Sequence, residues 1–392
     1  MLRIIRMSLK KPARSARIRE SSSSGGEDTD KTPLRRLLDD ASSFGEATAE
    51  TPEGELRWAT QPYAARPQKG EDRAERVEPR DTTVLLFPGQ GSQRVGMGRR
   101  LLDVPAAKEL YDLASSIVRW DVAKVCTSGP EEELAQRCQT AVFVTALAAL
   151  ERVREERPGA LERVRGVAGF SLGEIAALVF GGALDFERAL RLVELRSAAM
   201  RAAAAARAGA MLTVWFGADA QLNHALLRAR EHAAERGVPD PVCQVANYLY
   251  PGCKVIAGDE EALRFVERAG AEYGVRRAAR VRVEGAFHTP LMGDAAAALR
   301  EALRSVRVRA PRVAVWSAAE ARPYGDAADV RRGLARHVTR AVRWEQTLQA
   351  LYARARGQSF PLTLALGPGA ALRSTLRQVN ARAWDSSLQV DV

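Results

Sequence analysis

The sequence predicts an α/β protein in which helices cover a parallel β-sheet and a smaller unit is inserted into the chain. Three observations support this fold class. Short apolar runs alternate with helical patterns along most of residues 81–392, which is typical of a parallel sheet. In the middle of this region the order changes to β-α-β-β-α-β, the ferredoxin-like pattern. Hydrophobic residues make up 46% of the 392 residues, enough for a sizeable packed core.

The first part of the larger unit is predicted over residues 81–207. It opens with the apolar run Thr83–Phe87, which predicts a buried strand because a Pro-Gly pair ends it. A second strand is predicted at Val164–Gly169. Apolar residues at helical spacing predict four helices in this part: Ala106–Val118, Glu131–Arg152 with a break near Cys138, Leu172–Phe180 and Phe186–Ala206.

The inserted ferredoxin-like unit is predicted over residues 208–284, and the larger unit resumes over residues 285–392. The sequence shows no internal repeat and no heptad pattern. The insert is expected to contain strands Met211–Phe216, Val242–Asn247, Lys254–Ala257 and Ala278–Val283 and helices Ala220–Glu235 and Glu260–Tyr273. The last part is expected to contain helices Leu291–Val306, Val330–Val338, Trp344–Arg354 and one from Ala371, with strands Val313–Ser317 and Leu362–Leu366.

The segment before this folded body has two parts of opposite charge. Residues 1–19 contain seven basic residues and no acidic one, with serine and apolar residues between them. This composition is typical of a mitochondrial transit peptide, and a basic tail that binds an acidic partner is the alternative. Residues 20–80 are rich in Ser, Gly, Pro and acidic residues and carry a net charge of −5, which predicts a disordered leader.

The net charge of the whole chain is +11, of which the body over residues 81–392 carries +9. A basic protein first suggests nucleic acid as a partner, but the body has no nucleic-acid motif and aromatic residues make up only 6% of the chain. No apolar run reaches the length of about 18 residues that a membrane span needs. The four cysteines form no CxxC pair, so a reducing compartment is favoured over a disulfide framework or a zinc site.

A serine nucleophile is predicted at Ser171. Gly169–Gly173 matches G-x-S-x-G, follows a predicted strand and precedes a predicted helix, which is the context of the nucleophile elbow in α/β-hydrolase-like proteins. Such a turn exposes the serine hydroxyl, and the helix N-terminus supplies N–H groups to a developing oxyanion. An ordinary strand-to-helix turn is the alternative.

His288 is the expected general base, because a serine nucleophile usually needs a histidine. The chain has four histidines. His224 and His232 lie among charged residues of one predicted helix, which indicates solvated positions, and His337 lies in an Arg-rich helix. His288 follows a predicted strand at a turn, where catalytic groups tend to lie. A turn histidine bonded to backbone is the alternative.

Two further positions are weaker candidates. The glycine-rich turn Phe87–Gln93 matches neither a Walker loop nor G-x-G-x-x-G, so phosphate binding is not expected there. Its Gln90 lies between two glycines, and the backbone amide could serve as an oxyanion donor. Arg196 lies in a predicted helix with several arginines, and composition alone favours an ordinary surface residue.

Together these segments resemble the malonyl-CoA:acyl carrier protein transacylases, and more narrowly the mitochondrial form of animals. The resemblance covers about residues 82–392, and the order of the motifs makes it specific. The matching segments are Phe87–Met97 (FPGQGSQRVGM), Gly169–Glu174 (GFSLGE), Leu192–Arg196, Asn247, Val255–Gly258, Gly285–Met292, Arg343–Trp344 and Gly367–Gly369.

The resemblance implies a role for each candidate. Ser171 would be acylated by the malonyl group, and His288 would take the serine proton and return one to the leaving thiol. The backbone N–H groups of Gln90 and Leu172 would form the oxyanion hole. Arg196 would hold the free malonyl carboxylate as a bidentate pair, for which arginine suits better than lysine.

Three more positions are expected in or near the pocket. Asn247 would lie near the histidine or the bound thioester arm. Bacterial members carry His where this chain has Phe170, and Gln where it has Arg343, so details of the pocket should differ. Without that Gln, a backbone carbonyl is the expected partner that orients His288, and no acidic third member is evident.

The resemblance implies ping-pong transfer of a malonyl group from malonyl-CoA to the phosphopantetheine thiol of acyl carrier protein, feeding fatty acid synthesis in the mitochondrial matrix. No metal or redox cofactor, nucleic acid or membrane partner is expected, and the protein is expected to be a monomer.

The alternatives to this transferase function are an esterase or thioesterase of the α/β-hydrolase type and a basic RNA-binding factor. The hydrolase fold usually has an acid between the serine and a late histidine, whereas about a hundred residues follow His288.

Overall fold

A computed structural model describes residues 78–392 of the chain. The predicted transit peptide and nearly all of the predicted leader lie outside the described residues. None of the helices within residues 78–392 is both long and apolar enough to cross a membrane.

The described residues form ten strands and fourteen α-helices. The strands are β1 Thr83–Phe87, β2 Val164–Gly169, β3 Gly209–Phe216, β4 Cys243–Tyr250, β5 Cys253–Asp259, β6 Val275–Arg280, β7 Ala314–Ser317, β8 Arg322–Pro323, β9 Leu362–Ala365 and β10 Ser387–Gln389. The helices are α1 Pro105–Val118, α2 Val122–Ser128, α3 Glu131–Gln136, α4 Cys138–Glu156, α5 Pro158–Glu162, α6 Gly173–Phe180, α7 Phe186–Ala206, α8 Leu222–Glu235, α9 Glu260–Ala269, α10 Gly293–Ser305, α11 Ala327–Arg336, α12 Trp344–Leu351, α13 Ala371–Val379 and α14 Ala381–Asp385.

The larger sheet has the strand order β10-β9-β1-β2-β7-β8. The first five strands are parallel, and the short edge strand β8 is antiparallel to β7. The central strand β1 is buried along its whole length, because helices cover both faces of the sheet. Apolar residues of α4, α6 and α7 form much of the core on one face, while α12 and α13 pack on the other.

The smaller sheet is antiparallel, with the strand order β4-β5-β3-β6 and with α8 and α9 packed on it. Numbered from its own first strand, this order is 2-3-1-4, the arrangement of a ferredoxin-like unit. The predicted fold class, a parallel-sheet α/β unit with an inserted βαββαβ unit, is confirmed.

The last strand of the insert is displaced from its predicted position. It runs over Val275–Arg280 instead of Ala278–Val283, because only Gly274 separates it from the 3₁₀ turn Gly270–Tyr273. The break predicted near Cys138 is present, because α3 ends at Gln136 and α4 begins at Cys138. The short elements α2, α5, α14, β8 and β10 were not predicted, because their apolar patterns are too brief to recognise in the sequence.

The two sheets are joined by a backbone bridge between β4 and the segment before α12. The N–H of Val342 donates to the carbonyl of Ala246 in β4, and the carbonyl of Val342 accepts from the N–H of Tyr248, each at 2.8 Å. The segment between α11 and α12 is therefore fixed to the insert by two hydrogen bonds of the kind that hold strands together.

Candidate active site

Ser171 lies at a sharp turn between β2 and α6. Its φ angle is +51°, a left-handed conformation that side chains other than Asn and Asp adopt rarely. The flanking glycines permit the turn: a Cβ on Gly169 would lie 2.0 Å from the carbonyl carbon of Gly173, and one on Gly173 would lie 2.3 Å from the carbonyl oxygen of Phe87. The strand–turn–helix context predicted for a nucleophile elbow is present.

His288 faces the serine from a different part of the chain. Its Nε2 lies 2.9 Å from Ser171 Oγ, and its Nδ1 lies 3.0 Å from the carbonyl oxygens of both His337 and Arg340. Because carbonyls only accept hydrogen bonds, Nδ1 must carry the proton, which leaves the Nε2 lone pair directed at the serine hydroxyl. Two backbone carbonyls thus orient the imidazole, where many serine enzymes use a carboxylate.

The surroundings of His288 keep it neutral. Burial, followed by the positive charge of Arg196, lowers the pKa of His288 to about 4. At neutral pH the ring is therefore free to accept a proton from Ser171, which is the state that a general base requires.

Arg196 is buried beside the serine, with 1% of its surface exposed, so the composition-based interpretation of it as a surface residue is wrong. Its Nη2 donates to Ser171 Oγ at 2.9 Å, and its Nη1 donates to Gln139 Oε1 at 2.5 Å. Burial lowers the pKa of Arg196 to about 10, which still leaves it charged at neutral pH. Its Nε has no partner among residues 78–392.

Gln139, which the sequence patterns did not single out, connects two parts of the site. Besides accepting from Arg196, its side-chain amide donates from Nε2 to Gln90 Oε1 at 3.1 Å. A signal was available, since Gln139 is a polar residue in the fully buried first half of α4. Buried amides usually have specific partners, and this one fixes the guanidinium relative to the loop that holds Gln90.

The two predicted oxyanion donors lie on adjacent loops. The N–H of Phe170 donates to the carbonyl of Phe87 at 3.0 Å, which holds the loop after β1 against the loop after β2. A Cβ on Gly89 would lie 2.5 Å from the carbonyl oxygen of Phe170, so only glycine permits this approach. Within residues 78–392, the backbone N–H groups of Gln90 and Leu172 donate to no protein acceptor. Both remain available to a ligand oxygen.

A second buried polar group, also missed, lies behind the serine on α6. The carboxylate of Glu174 accepts from the hydroxyl of Tyr324 and, at 2.9 Å, from the N–H of Ala318, while His337 Nε2 lies 3.6 Å away. Burial raises the pKa of Glu174 to about 7. These contacts join the helix that begins beside Ser171 to the segment whose carbonyls orient His288.

Comparison with known proteins identifies the family. Residues 84–363 match the model of the acyl transferase domain family. The chain belongs to the acyl transferase family. This acyltransferase is 46% identical over 316 residues to the probable malonyl-CoA-acyl carrier protein transacylase, mitochondrial, of Drosophila melanogaster, covering 80% of the chain and 83% of the relative. The corresponding human protein is 43% identical over 320 residues, covering 81% of the chain and 82% of the relative.

Similar solved structures are also malonyl transacylases. The malonyl CoA-acyl carrier protein transacylase of Coxiella burnetii superimposes with a TM-score of 0.71 at 30% identity, covering 80% of this acyltransferase and 95% of that chain. A malonyl-transacylase solved in complex with a type II PKS acyl-carrier protein has a TM-score of 0.70 at 31% identity, covering 79% and 96% of the two chains.

Within residues 78–392, the remaining predicted site residues form no hydrogen bond with the Ser171 hydroxyl. Phe170 packs edge-on against Trp344, with ring centroids 5.6 Å apart. Asn247 is buried in β4, and its Oδ1 has no hydrogen-bond partner among residues 78–392. Arg343 is exposed and lines a cavity of about 810 Å³ that borders the segment after His288. Of the two histidines expected to be solvated on α8 of the insert, His224 is exposed, whereas His232 is half-buried and packs against Phe265.

Proposed function

We propose that this acyltransferase moves a malonyl group from malonyl-CoA to the phosphopantetheine thiol of acyl carrier protein, through an ester on Ser171. The observation that carries the proposal is the buried guanidinium of Arg196, which lies against the serine oxygen and forms no ion pair with any residue of 78–392. The transacylase names of the relatives support the same substrate pair.

The buried arginine favours a substrate that carries its own carboxylate. A buried charge without a direct ion-pair partner is costly, and the more distant carboxylate of Glu174 and neutral partners such as Gln139 compensate only in part. The free carboxylate of a malonyl group supplies the missing negative charge as a two-bond pair with the guanidinium. An acetyl group leaves the guanidinium unpaired, so the site discriminates by charge as well as by size.

The first half-reaction follows from the hydrogen bonds of the site. Ser171 gives its proton to His288 Nε2 as its oxygen attacks the thioester carbonyl. The carbonyl oxygen becomes negative and accepts from the N–H groups of Gln90 and Leu172. The tetrahedral intermediate collapses, the C–S bond breaks, and the proton on His288 goes to the leaving CoA thiolate.

The second half-reaction runs the same steps in reverse with a different thiol. The thiol of the carrier's phosphopantetheine arm gives its proton to His288 and attacks the ester on Ser171, and the serine oxygen recovers the proton as it leaves. Ser171 and His288 expose only 7% and 4% of their surfaces. This burial limits the access of water, which would otherwise hydrolyse the ester.

Transfer is favoured over the esterase alternative. The Drosophila and human relatives are named transacylases, and two backbone carbonyls take the place of the triad acid near His288. Because Ser171, His288 and Arg196 supply the nucleophile, base and counter-charge, we propose that no metal or redox cofactor takes part.

We further propose that the protein works as a monomer in the mitochondrial matrix, with neither nucleic acid nor membrane as a partner. The mitochondrial names of the animal relatives and the basic composition of residues 1–19 support this location. Removal of residues 1–19 should leave a tagged protein in the cytosol, and continued import would contradict their role as an address.

The direct test of the function uses purified protein, [¹⁴C]malonyl-CoA and acyl carrier protein bearing its phosphopantetheine arm. We expect label on the protein in the absence of the carrier and label on the carrier after its addition. The Ser171→Ala variant should carry no label. Release of free malonate at a rate unaffected by the carrier would support a hydrolase instead.

A further inference from the structure

The cavity beside His288 is lined by three positively charged side chains. It lies between β4 of the insert and the segment that connects α11 to α12, and three exposed arginines line it: Arg336, Arg340 and Arg343. Within residues 78–392, none of these guanidinium groups forms an ion pair or a side-chain hydrogen bond. Three like charges around one cavity repel each other, so an anion bound between them would be stabilised.

Glu320, the one acidic residue of the cavity wall within the described part of the chain, does not neutralise these charges. Glu320 is paired with Arg322, which lies on the edge strand β8. The neutral residues Gln244 and Tyr248 add polar groups to the opposite wall. The cavity therefore offers guanidinium donors and neutral polar groups, a combination suited to phosphate oxygens.

The cavity is connected to the catalytic centre by backbone. The carbonyl of Arg340 orients His288, while its side chain lines the cavity. On the opposite wall, Gln244 Nε2 donates to the carbonyl of His288 at 3.2 Å. A ligand that places its thioester at Ser171 and extends past His288 would bring its far end to the arginines.

We propose that Arg336, Arg340 and Arg343 bind the phosphate ester at the end of the pantetheine arm, an assignment that rests on the proposed function. The same phosphate terminates the pantetheine in malonyl-CoA and joins the arm to acyl carrier protein. One phosphate subsite can therefore serve both half-reactions of a ping-pong enzyme, because the two thiols occupy the site in turn.

The test compares substrates with and without the phosphate. The triple variant Arg336→Ser/Arg340→Ser/Arg343→Ser should raise the KM for malonyl-CoA roughly a thousandfold, since each of the three charge-assisted bonds contributes roughly a factor of ten. Acylation by malonyl-pantetheine, which has the thioester but no phosphate, should change by less than about twofold. The triple lysine variant retains the charges and should recover most of the lost affinity.

A control that removes one arginine elsewhere is matched to the single variants Arg336→Ser, Arg340→Ser and Arg343→Ser, each of which should raise the KM for malonyl-CoA roughly tenfold. Arg382 is exposed on α14, just before the edge strand β10, and Arg382→Ser should leave all these constants unchanged. This control separates a phosphate subsite from a general effect of net charge on association with anionic substrates.

Two arms distinguish the source of the phosphate. A raised KM for both malonyl-CoA and the phosphopantetheinylated carrier supports the shared phosphate, whereas a raised KM for malonyl-CoA alone assigns the arginines to the nucleotide phosphates and overturns the shared subsite. An equal loss with malonyl-pantetheine, or no loss with any substrate, also overturns it. The wild-type protein serves as the separate test of the proposed function, since failure to transfer malonate from CoA would refute that function without involving the arginines.

Discussion

Ser171 Oγ and His288 Nε2 lie 2.9 Å apart, yet the chain fixes the positions of these two residues in different ways. The serine side is local, because one strand, one turn and one helix fix its position within the continuous segment Val164–Phe180. The histidine side is assembled from distant segments, since the carbonyls that orient His288 belong to His337 and Arg340. One half of the site thus depends on side-chain identities in a short motif, and the other depends on the path of the backbone.

Removing the side chain of Ser171 or of His288 tests the local and the assembled half of the site together. These substitutions should have the largest effect on the rate of malonyl transfer. His288→Ala and Ser171→Ala should each lower kcat/KM for malonyl transfer at least about a thousandfold, because nucleophile and base act as a unit. The double variant should be about as impaired as either single variant. Rates of acyl-enzyme formation from [¹⁴C]malonyl-CoA measure this, and fully additive losses would contradict the pairing.

Substituting the arginine that contacts the serine should affect substrate choice. Arg196→Met removes the counter-charge for a malonyl carboxylate and should lower kcat/KM for malonyl-CoA about a hundredfold. Acetyl-CoA, which has no carboxylate, should react as well as before or better. Competition between the two substrates measures the ratio, and an unchanged preference for malonyl-CoA would refute the carboxylate role of Arg196.

Glycine substitutions test the local side of the comparison. Gly169→Ala places a Cβ 2.0 Å from the backbone of Gly173 and should lower the free energy of unfolding by about 3 kcal/mol. Gly159→Ala is the matched control, because a Cβ there meets nothing within 4 Å, and it should be neutral or slightly stabilising. Urea unfolding curves compare them, and equal stability of the two variants would show that the turn tolerates a larger residue.

The pH dependence tests the environment of the histidine. His288 must be neutral to act as a base, and burial and Arg196 lower its pKa to about 4. Activity should therefore stay on its plateau as the pH falls through 6.5 and decline only near pH 4. Because Arg196→Met removes one of the two effects that lower this pKa, its acid limb should move to higher pH. An acid limb near 6.5 in the wild-type protein would contradict this account.

The smallest effect on catalysis is expected at His337, which contributes only its backbone carbonyl to the orientation of His288. His337 orients His288 through its carbonyl, which every residue possesses, so His337→Gln should change kcat/KM by less than about threefold. The amide can still bond toward Glu174, whose carboxylate lies 3.6 Å from the imidazole. A loss as large as that of His288→Ala would show that the imidazole itself takes part.

The same contrast explains what the sequence could predict. The elbow around Ser171 was predictable because G-x-S-x-G between a strand and a helix is a local pattern. The family resemblance identified Arg196, whereas composition alone favoured the surface for a residue that is buried. Nothing local indicates that the carbonyls of residues 337 and 340 reach His288, because a carbonyl leaves no mark in the sequence. Gln139 and Glu174 could have been noticed as polar residues in buried helical segments.

The elements of the fold also differed in how well the sequence predicted them, according to their length. Long elements such as α1 and α7 were predicted nearly to the residue, since their apolar patterns are extended. The edge strands β8 and β10 were missed because they contain only two and three residues and pair through backbone bonds. The displaced strand β6 has just one fully buried residue, Val275, so its apolar pattern does not fix its register.

The carbonyl pair at His288 has a consequence for how this enzyme tolerates genetic change. A catalytic carboxylate can be lost through a single missense mutation, but a carbonyl persists whatever side chain its residue carries. Positions 337 and 340 can therefore vary without depriving the imidazole of its acceptors, provided that the path of the chain is kept. Arg340 illustrates this freedom, since its main chain serves the base while its side chain lines a neighbouring cavity and can acquire a separate role.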